Sequence, residues 1–93
     1  MKHECELDVS YLEPPEPMEK ILEGISGLQL GQYLRVLIHR EPLPLYSILE
    51  RSGFNRITRL GVKTELEIVI WRFGDKEAYQ AVKSICEGSS TVA

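Results

Sequence analysis

The sequence contains few of the features that would place a small protein outside the cytoplasm. It has two cysteines in 93 residues, Cys5 and Cys86, which are too few for a disulfide scaffold and favour a reducing compartment. Its longest uninterrupted apolar run covers only residues 68–71, whereas a membrane-spanning helix needs about 20 residues. Acidic side chains occur near the N-terminus, where a secretory signal has an apolar stretch. We therefore expect a cytoplasmic protein that does not enter membranes.

Motifs of the common enzyme classes are also missing. No serine is arranged with a histidine base for nucleophilic catalysis, and no glycine-rich phosphate loop is present. A zinc site built from His3, Cys5 and Cys86 would lack a fourth ligand. We expect no metal, no cofactor and no catalytic residue. We interpret both cysteines as small apolar side chains, although a thiol of lowered pKa would make either one a carrier or redox group.

The charges are unevenly distributed along an otherwise ordinary globular composition. Apolar residues make up 43% and charged residues 27%, a balance that favours one folded domain over disorder. Residues 1–25 carry seven acidic and two basic side chains, whereas residues 33–63 carry six basic and two acidic ones. The basic block is able to attract an anionic partner, but we interpret it mainly as solvated charge, partly paired with the acidic segment. Its aromatic residues do not alternate with the bases, so nucleic-acid binding is not expected.

Hydrophobic periodicity predicts one domain over residues 1–93, with a core over about 5–73. Alternating apolar residues predict strands, and apolar residues at helical spacing predict helices. Two proline-bearing turns, at 13–17 and 40–44, each precede a helix. The predicted elements are strands at 5–9, 33–39, 54–62 and 64–73, helices at about 18–27, 45–52 and 75–87, and a flexible tail at 88–93.

This β-α-β-α-β-β order predicts a two-layer α/β sandwich of the α+β type. Strands separated by helices are expected to pair in parallel, and the last two strands are expected to form a hairpin. Two helices then cover one face of a mixed four-stranded sheet. The other face would carry Leu37, Val69 and Trp71, which are too apolar to remain bare. We expect either the C-terminal helix or a second subunit to cover these three residues, which makes them a candidate interface.

Two proline-bearing blocks resemble a known family. Residues 7–17 read LDVSYLEPPEP, and residues 39–46 read HREPLPLY. The first block resembles the opening of the TusA/SirA-like sulfur carriers, and the two together resemble the uncharacterised bacterial branch named domain-of-unknown-function family 2249. The resemblance implies the same β-α-β-α-β-β fold. It also implies that Pro14 stands where the carriers have their sulfur-accepting cysteine, so sulfur transfer by the family mechanism is not expected here.

The predicted topology places several polar residues at one edge of the sheet. His39 and Arg40 follow the second strand, Glu13 and Glu16 follow the first, and Tyr46 begins the second helix. Ligands of α/β sheets usually bind at the carboxyl ends of parallel strands. A phosphate cradle is disfavoured because the prolines lack N–H groups and glutamates already occupy the helix N-termini. These five residues either fix the two turns or contact a ligand or partner.

The sequence leads to three functional hypotheses. The first is a non-enzymatic interaction or accessory module that binds a protein partner or forms a homodimer. The second is a protein that binds a small anion or metabolite through His39, Arg40 and Tyr46. The third is a sulfur or redox relay that uses Cys5 or Cys86.

Overall fold

The computed structural model describes residues 3–13 and 16–90. The elements follow the predicted order, β-α-β-α-β-β, and a third helix follows the last strand. The third helix continues to Ser90, beyond the predicted end at 87. The elements are β1 (Glu4–Asp8), α1 (Glu16–Ser26), β2 (Tyr33–Ile38), α2 (Leu43–Arg51), β3 (Phe54–Leu60), β4 (Leu66–Arg72) and α3 (Lys76–Ser90).

The strands form one mixed four-stranded sheet with the order β1-β2-β4-β3. β1 and β2 are parallel, as expected for strands joined through a helix, with Leu7 opposite Val36. β4 is antiparallel to both β2 and β3. It lies between them, so β2 and β3 run in the same direction without being neighbours. The carboxyl ends of β1, β2 and β3 therefore lie at the same edge of the sheet.

α1 and α2 cover the first face of the sheet, where the larger core cluster lies. Ile21 and Ile25 of α1 and Leu45 and Leu49 of α2 are all buried against the strands. Burying each such side chain contributes about 1.5–3 kcal/mol. Gly24 allows α1 to lie close to the sheet, because a Cβ atom there would come within 3.1 Å of a Leu34 methyl group. The predicted pair of helices on one face is confirmed.

α3 covers part of the second face. Its residues Ala78 and Val82 are buried and belong to one cluster with Val69 and Trp71. Leu37, on the same face, is buried as well. The sequence left open whether the C-terminal helix or a second subunit covers this face. In the structure, the C-terminal helix covers it. Leu37, Val69 and Trp71, the candidate interface, offer no exposed surface to a partner in this arrangement.

Asp75 fixes the start of α3. Gly74 adopts a positive φ of 85°, a conformation that glycine tolerates best. The next residue, Asp75, caps the helix: one carboxylate oxygen accepts the Ala78 N–H at 3.0 Å and the other accepts the Gly31 N–H at 2.9 Å. These bonds lower the pKa of Asp75 below its ordinary value.

None of the described helices has both the length and the apolar composition needed to cross a membrane.

Candidate functional site

The candidate site lies at the edge of the sheet where β1 and β2 end. Val9 extends the ladder beyond β1 by donating its N–H to the Leu37 carbonyl at 3.0 Å. Asp8 then accepts two hydrogen bonds from Ser10, one from the backbone N–H at 2.9 Å and one from the hydroxyl at 2.6 Å. These bonds lower the pKa of Asp8 and turn the chain away from the sheet. The loop after β1 is therefore held in place beside the loop after β2.

A cavity of about 760 Å³ opens between these two loops. Its apolar part comes from the ends of β1 and β2 and from the first turn of α1, and its polar part comes from the loop side chains. A volume of this size falls in the range of small-molecule binding sites, roughly 300–1,000 Å³. The described lining residues are Val9, Ser10, Leu12, Glu13, Pro17, Met18, Ile38, His39, Arg40, Glu41, Pro42 and Pro44.

The structure brings three of the five predicted site residues to this cavity. Glu13, His39 and Arg40 line it and are exposed. Within the described residues, no carboxylate lies within ion-pair distance of Arg40, whereas His39 Nδ1 lies 3.9 Å from an oxygen of Glu65. Arg40 is therefore a cation at the rim that the described part of the fold does not neutralise.

Tyr46 does not belong to the described lining. Its ring packs against the core cluster under α1 and α2, with the Arg56 guanidinium 3.7 Å from the ring centroid. Its hydroxyl donates to Glu41 at 2.9 Å and lies 2.7 Å from the Thr58 hydroxyl. Burial raises the pKa of Tyr46, and the bond to Glu41 adds to this effect. Tyr46 therefore links the rim residue Glu41 to β3 rather than facing a ligand.

Glu16 also lies outside the described lining. The N-terminal turns of the helices near the cavity have few free backbone N–H groups. The Glu16 N–H donates to the Glu13 carbonyl at 3.0 Å. At the start of α2, the N–H of Leu43 donates to Glu41 and that of Leu45 donates to Pro42, at 3.1 and 2.9 Å. Pro44, between them, has no N–H. The start of α2 therefore lacks the free N–H groups of a backbone phosphate cradle.

Sequence reasoning missed a second group of charges on the other face of the sheet. Glu67 is 3% exposed and accepts from Arg35 at 2.8 Å and from Arg59 at 3.0 Å. Arg35 also contacts Glu4 at 3.1 Å and forms an ion pair with Glu6. We call these five residues the Glu67 network. They lie beside α3 rather than at the cavity.

Each charge of the Glu67 network has at least one partner of opposite sign within it. Burial opposes the charge of Arg35, but the carboxylates of Glu4, Glu67 and Glu6 outweigh it and raise the pKa of Arg35. The Tyr33 hydroxyl donates to Glu4 at 2.8 Å, and burial together with this bond raises the pKa of Tyr33. Buried charges are tolerated when they are paired and hydrogen-bonded in this way.

The strand register explains how the network forms. Glu6 lies opposite Arg35, and Arg59 lies opposite Glu67. The alternating acidic residues of β1 are visible in the sequence, and the ion pairs of Arg35 with Glu4 and Glu6 agree with the expected pairing of basic residues with the acidic segment. The contacts of Glu67 required the position of β4 between β2 and β3, which no local pattern reveals.

The two cysteines lie on opposite faces of the sheet and are partly buried. Cys5 packs against the cluster under α1 and α2, and Cys86 packs against the cluster under α3. Across the described ranges, no group of three or more histidine, cysteine or acidic side chains is placed to hold a metal ion. Pro14, where the resemblance places the carrier cysteine, lies outside the described residues.

The fold and the site together define a small α+β sandwich with a cavity at the carboxyl edge of its parallel strands. The chain belongs to the family described as "Uncharacterized conserved protein (DUF2249)", whose profile matches residues 6–72. This confirms the family assignment made from the two proline-bearing blocks. A search of curated proteins found no match, and a search of solved structures also found none.

Proposed function

We propose that this protein is a non-enzymatic binding module whose partner protein docks at the carboxyl-edge cavity. The observation that carries the proposal is the pair of exposed apolar side chains beside the cavity. Tyr11, 76% exposed, lies between the lining residues Ser10 and Leu12, and Leu43, 63% exposed, follows the lining residue Pro42. Large apolar side chains left exposed beside a cavity are typical of protein-binding surfaces.

The rim charges add a second feature to this surface. Arg40 has no carboxylate at ion-pair distance among the described residues, so it is available to an acidic group of the partner. Arginine binds carboxylates through two parallel hydrogen bonds, which fixes orientation as well as charge. We infer that the partner inserts an apolar side chain into the cavity and places a carboxylate against Arg40.

Site-specific photo-crosslinking in the host cell tests this proposal. A photoreactive phenylalanine analogue replaces Leu43 beside the cavity in one strain and Leu30 in another. Leu30 is the matched control because it is 79% exposed but lies in the loop before β2, at the opposite end of the sheet. We expect a discrete crosslinked protein from position 43 and none of the same mass from position 30. Equal crosslinking from both positions would contradict a docking site at the cavity.

A small carboxylate-bearing metabolite is the second candidate occupant. The cavity volume of about 760 Å³ and the arginine at its rim favour this alternative. It predicts saturable shifts in the NMR signals of His39, Arg40 and Glu13 when a panel of small carboxylates is titrated. The shifts should disappear in Arg40→Ala and persist in Arg51→Ala, a substitution of an exposed arginine at the end of α2. Silence across the panel would eliminate this candidate and leave the protein partner.

A further inference from the structure

The two outermost strands of the sheet, β1 and β3, differ in how well they are protected against pairing with another strand. β1, at one edge, covers only Glu4–Asp8, and three of these residues are acidic. β3, at the other edge, covers Phe54–Leu60, contains neither proline nor glycine, and its two arginines, Arg56 and Arg59, contact Tyr46 and Glu67 within the fold. Short, like-charged edge strands resist pairing, whereas a longer edge strand whose charges already have partners is a better template for another chain. The β3 edge is therefore the one to examine for a partner.

Two hydrogen bonds show which backbone groups of β3 face outward. Phe73 N–H donates to Gly53 at 2.9 Å, and Gly61 N–H donates to Glu65 at 3.1 Å, at the two ends of the β3–β4 ladder. In an antiparallel ladder, alternate residues bond to the neighbouring strand. Odd-numbered residues of β3 therefore bond to β4. The even-numbered residues, which have no other backbone partner within the described ranges, direct their N–H and C=O groups away from the sheet: Phe54, Arg56, Thr58 and Leu60.

One antiparallel register pairs this edge with a second copy of the same strand along its whole length. When two β3 strands pair about a two-fold axis at Ile57, Phe54 lies opposite Leu60 of the second copy and Arg56 lies opposite Thr58. All the outward N–H and C=O groups then pair, giving about eight backbone hydrogen bonds. A register shifted to centre on Arg56 would place two arginines directly opposite each other, which is unfavourable, and would leave Leu60 unpaired.

The side chains fit the same register on both faces. Leu60 is 84% exposed and would gain Phe54 of the second copy as a cross-strand neighbour. On the α3 face, Ile57 is partly buried against the cluster that contains Val69 and Val82. Directly opposite residues have Cβ atoms about 4.5–5.5 Å apart, so the two copies of Ile57 would be in contact and would extend the apolar cluster under α3.

From this self-complementarity we propose that the protein forms a symmetric dimer through antiparallel pairing of β3 with β3, which creates one continuous sheet. The pairing is isologous, as expected for a two-fold dimer. It does not use the carboxyl-edge cavity, so the dimer and the docking site can be tested separately.

Disulfide trapping tests the proposed register. Ile57→Cys is introduced together with Cys5→Ser and Cys86→Ser, and the protein is oxidised under mild conditions. The two Ile57 positions form a non-hydrogen-bonded pair with Cα atoms about 4.5 Å apart, which is within the range for a disulfide. The control is Val62→Cys in the same background, because Val62 is 96% exposed but lies beyond β3. We expect a covalent dimer from position 57 in at least several-fold excess over position 62. Equal yields would overturn the proposal.

Sedimentation analysis of two matched variants tests the backbone pairing. Arg56→Pro removes an outward N–H that β4 does not use, whereas Arg56→Ala removes the same side chain and keeps the N–H. We expect a dimer for the wild type and Arg56→Ala, and a folded monomer for Arg56→Pro. A wild-type monomer at every concentration up to about 1 mM, or a dimer that persists in Arg56→Pro, would contradict the proposal. If Arg56→Pro does not fold, the disulfide yields decide.

Discussion

The Glu67 network and the cavity rim contain similar residues, but the fold uses their charges differently. In the network, Glu67 is 3% exposed and contacts both Arg35 and Arg59 at hydrogen-bond distance. At the rim, His39 and Arg40 are exposed, and no ion pair of Arg40 is formed within the described residues. Both regions combine arginine with glutamate. They differ in whether each charge already has a partner.

This difference separates charges that stabilise the fold from charges available to another molecule. A buried, fully hydrogen-bonded charge is costly to remove because its partners lose their compensation. An exposed, unpaired charge contributes little to stability. The basic block of residues 33–63 is accordingly divided between several roles. Arg35 and Arg59 pair with Glu67, Arg56 stacks on Tyr46, and Arg40 remains at the cavity. The block does not form one anion-binding face.

Substitution of Glu67 should give the largest effect on stability. Glu67→Ala leaves two partly buried arginines without their shared carboxylate, so we expect a loss of about 3 kcal/mol. Glu67→Gln, which keeps an acceptor, should lose less. Urea denaturation of both variants beside wild type provides the measurement. A loss below about 0.5 kcal/mol for Glu67→Ala would show that the network is no more structural than the rim.

Asp75 is an acidic group whose hydrogen-bond donors are backbone N–H groups rather than arginines. Because these bonds lower its pKa below the unfolded value of about 3.9, its carboxylate stabilises the fold above that pH. This contribution is lost as the pH falls through the folded-state pKa. We expect Asp75→Asn to be less stable than wild type by about 1–2 kcal/mol at pH 7, with the difference shrinking on acidification.

Denaturation midpoints of the two proteins from pH 7 to pH 2 would show this convergence. A difference that stayed constant over the whole range would mean that the carboxylate charge of Asp75 contributes nothing to stability.

Tyr46 connects the cavity rim to β3, and its substitution should have a moderate effect. Tyr46→Phe removes the hydroxyl that joins Glu41 to Thr58 while keeping the ring in the core. We expect a loss of about 1 kcal/mol, measured by urea denaturation. The double variant Tyr46→Phe with Thr58→Val tests the contact directly, since it should cost less than the sum of the two single changes. Strict additivity would show that the two hydroxyls do not interact.

The element order and the helix-covered face could be predicted because they depend on local periodicity. Ile21 and Ile25 recur at helical spacing, and the residues of β2 alternate, so each pattern identifies its own buried face. The position of β4 between β2 and β3 could not be predicted this way, because strand order depends on contacts between distant segments. The place of Glu67 between two arginines depends on the same strand order, so local periodicity could not reveal it either.

The candidate site was predictable to a similar extent. Parallel pairing of β1 and β2 was enough to bring Glu13, His39 and Arg40 to one edge. The direction in which the Tyr46 side chain points depended on the packing of α2 against β3. There Thr58 contacts its hydroxyl and Arg56 lies over its ring. The burial of Leu37, Val69 and Trp71 depended on where α3 lies, which the sequence left open between two coverings.

The most direct test of the central claim is a paired measurement on Arg40→Ala, with Arg51→Ala as its control. Stability is measured by urea denaturation, and partner capture is measured as crosslinking from position 43. We predict that both variants stay within about 0.5 kcal/mol of wild-type stability. Arg40→Ala alone should lose about 10- to 100-fold in crosslinking yield at limiting partner concentration. Unchanged crosslinking in Arg40→Ala, or a large loss of its stability, would contradict the claim that this rim charge serves binding rather than folding.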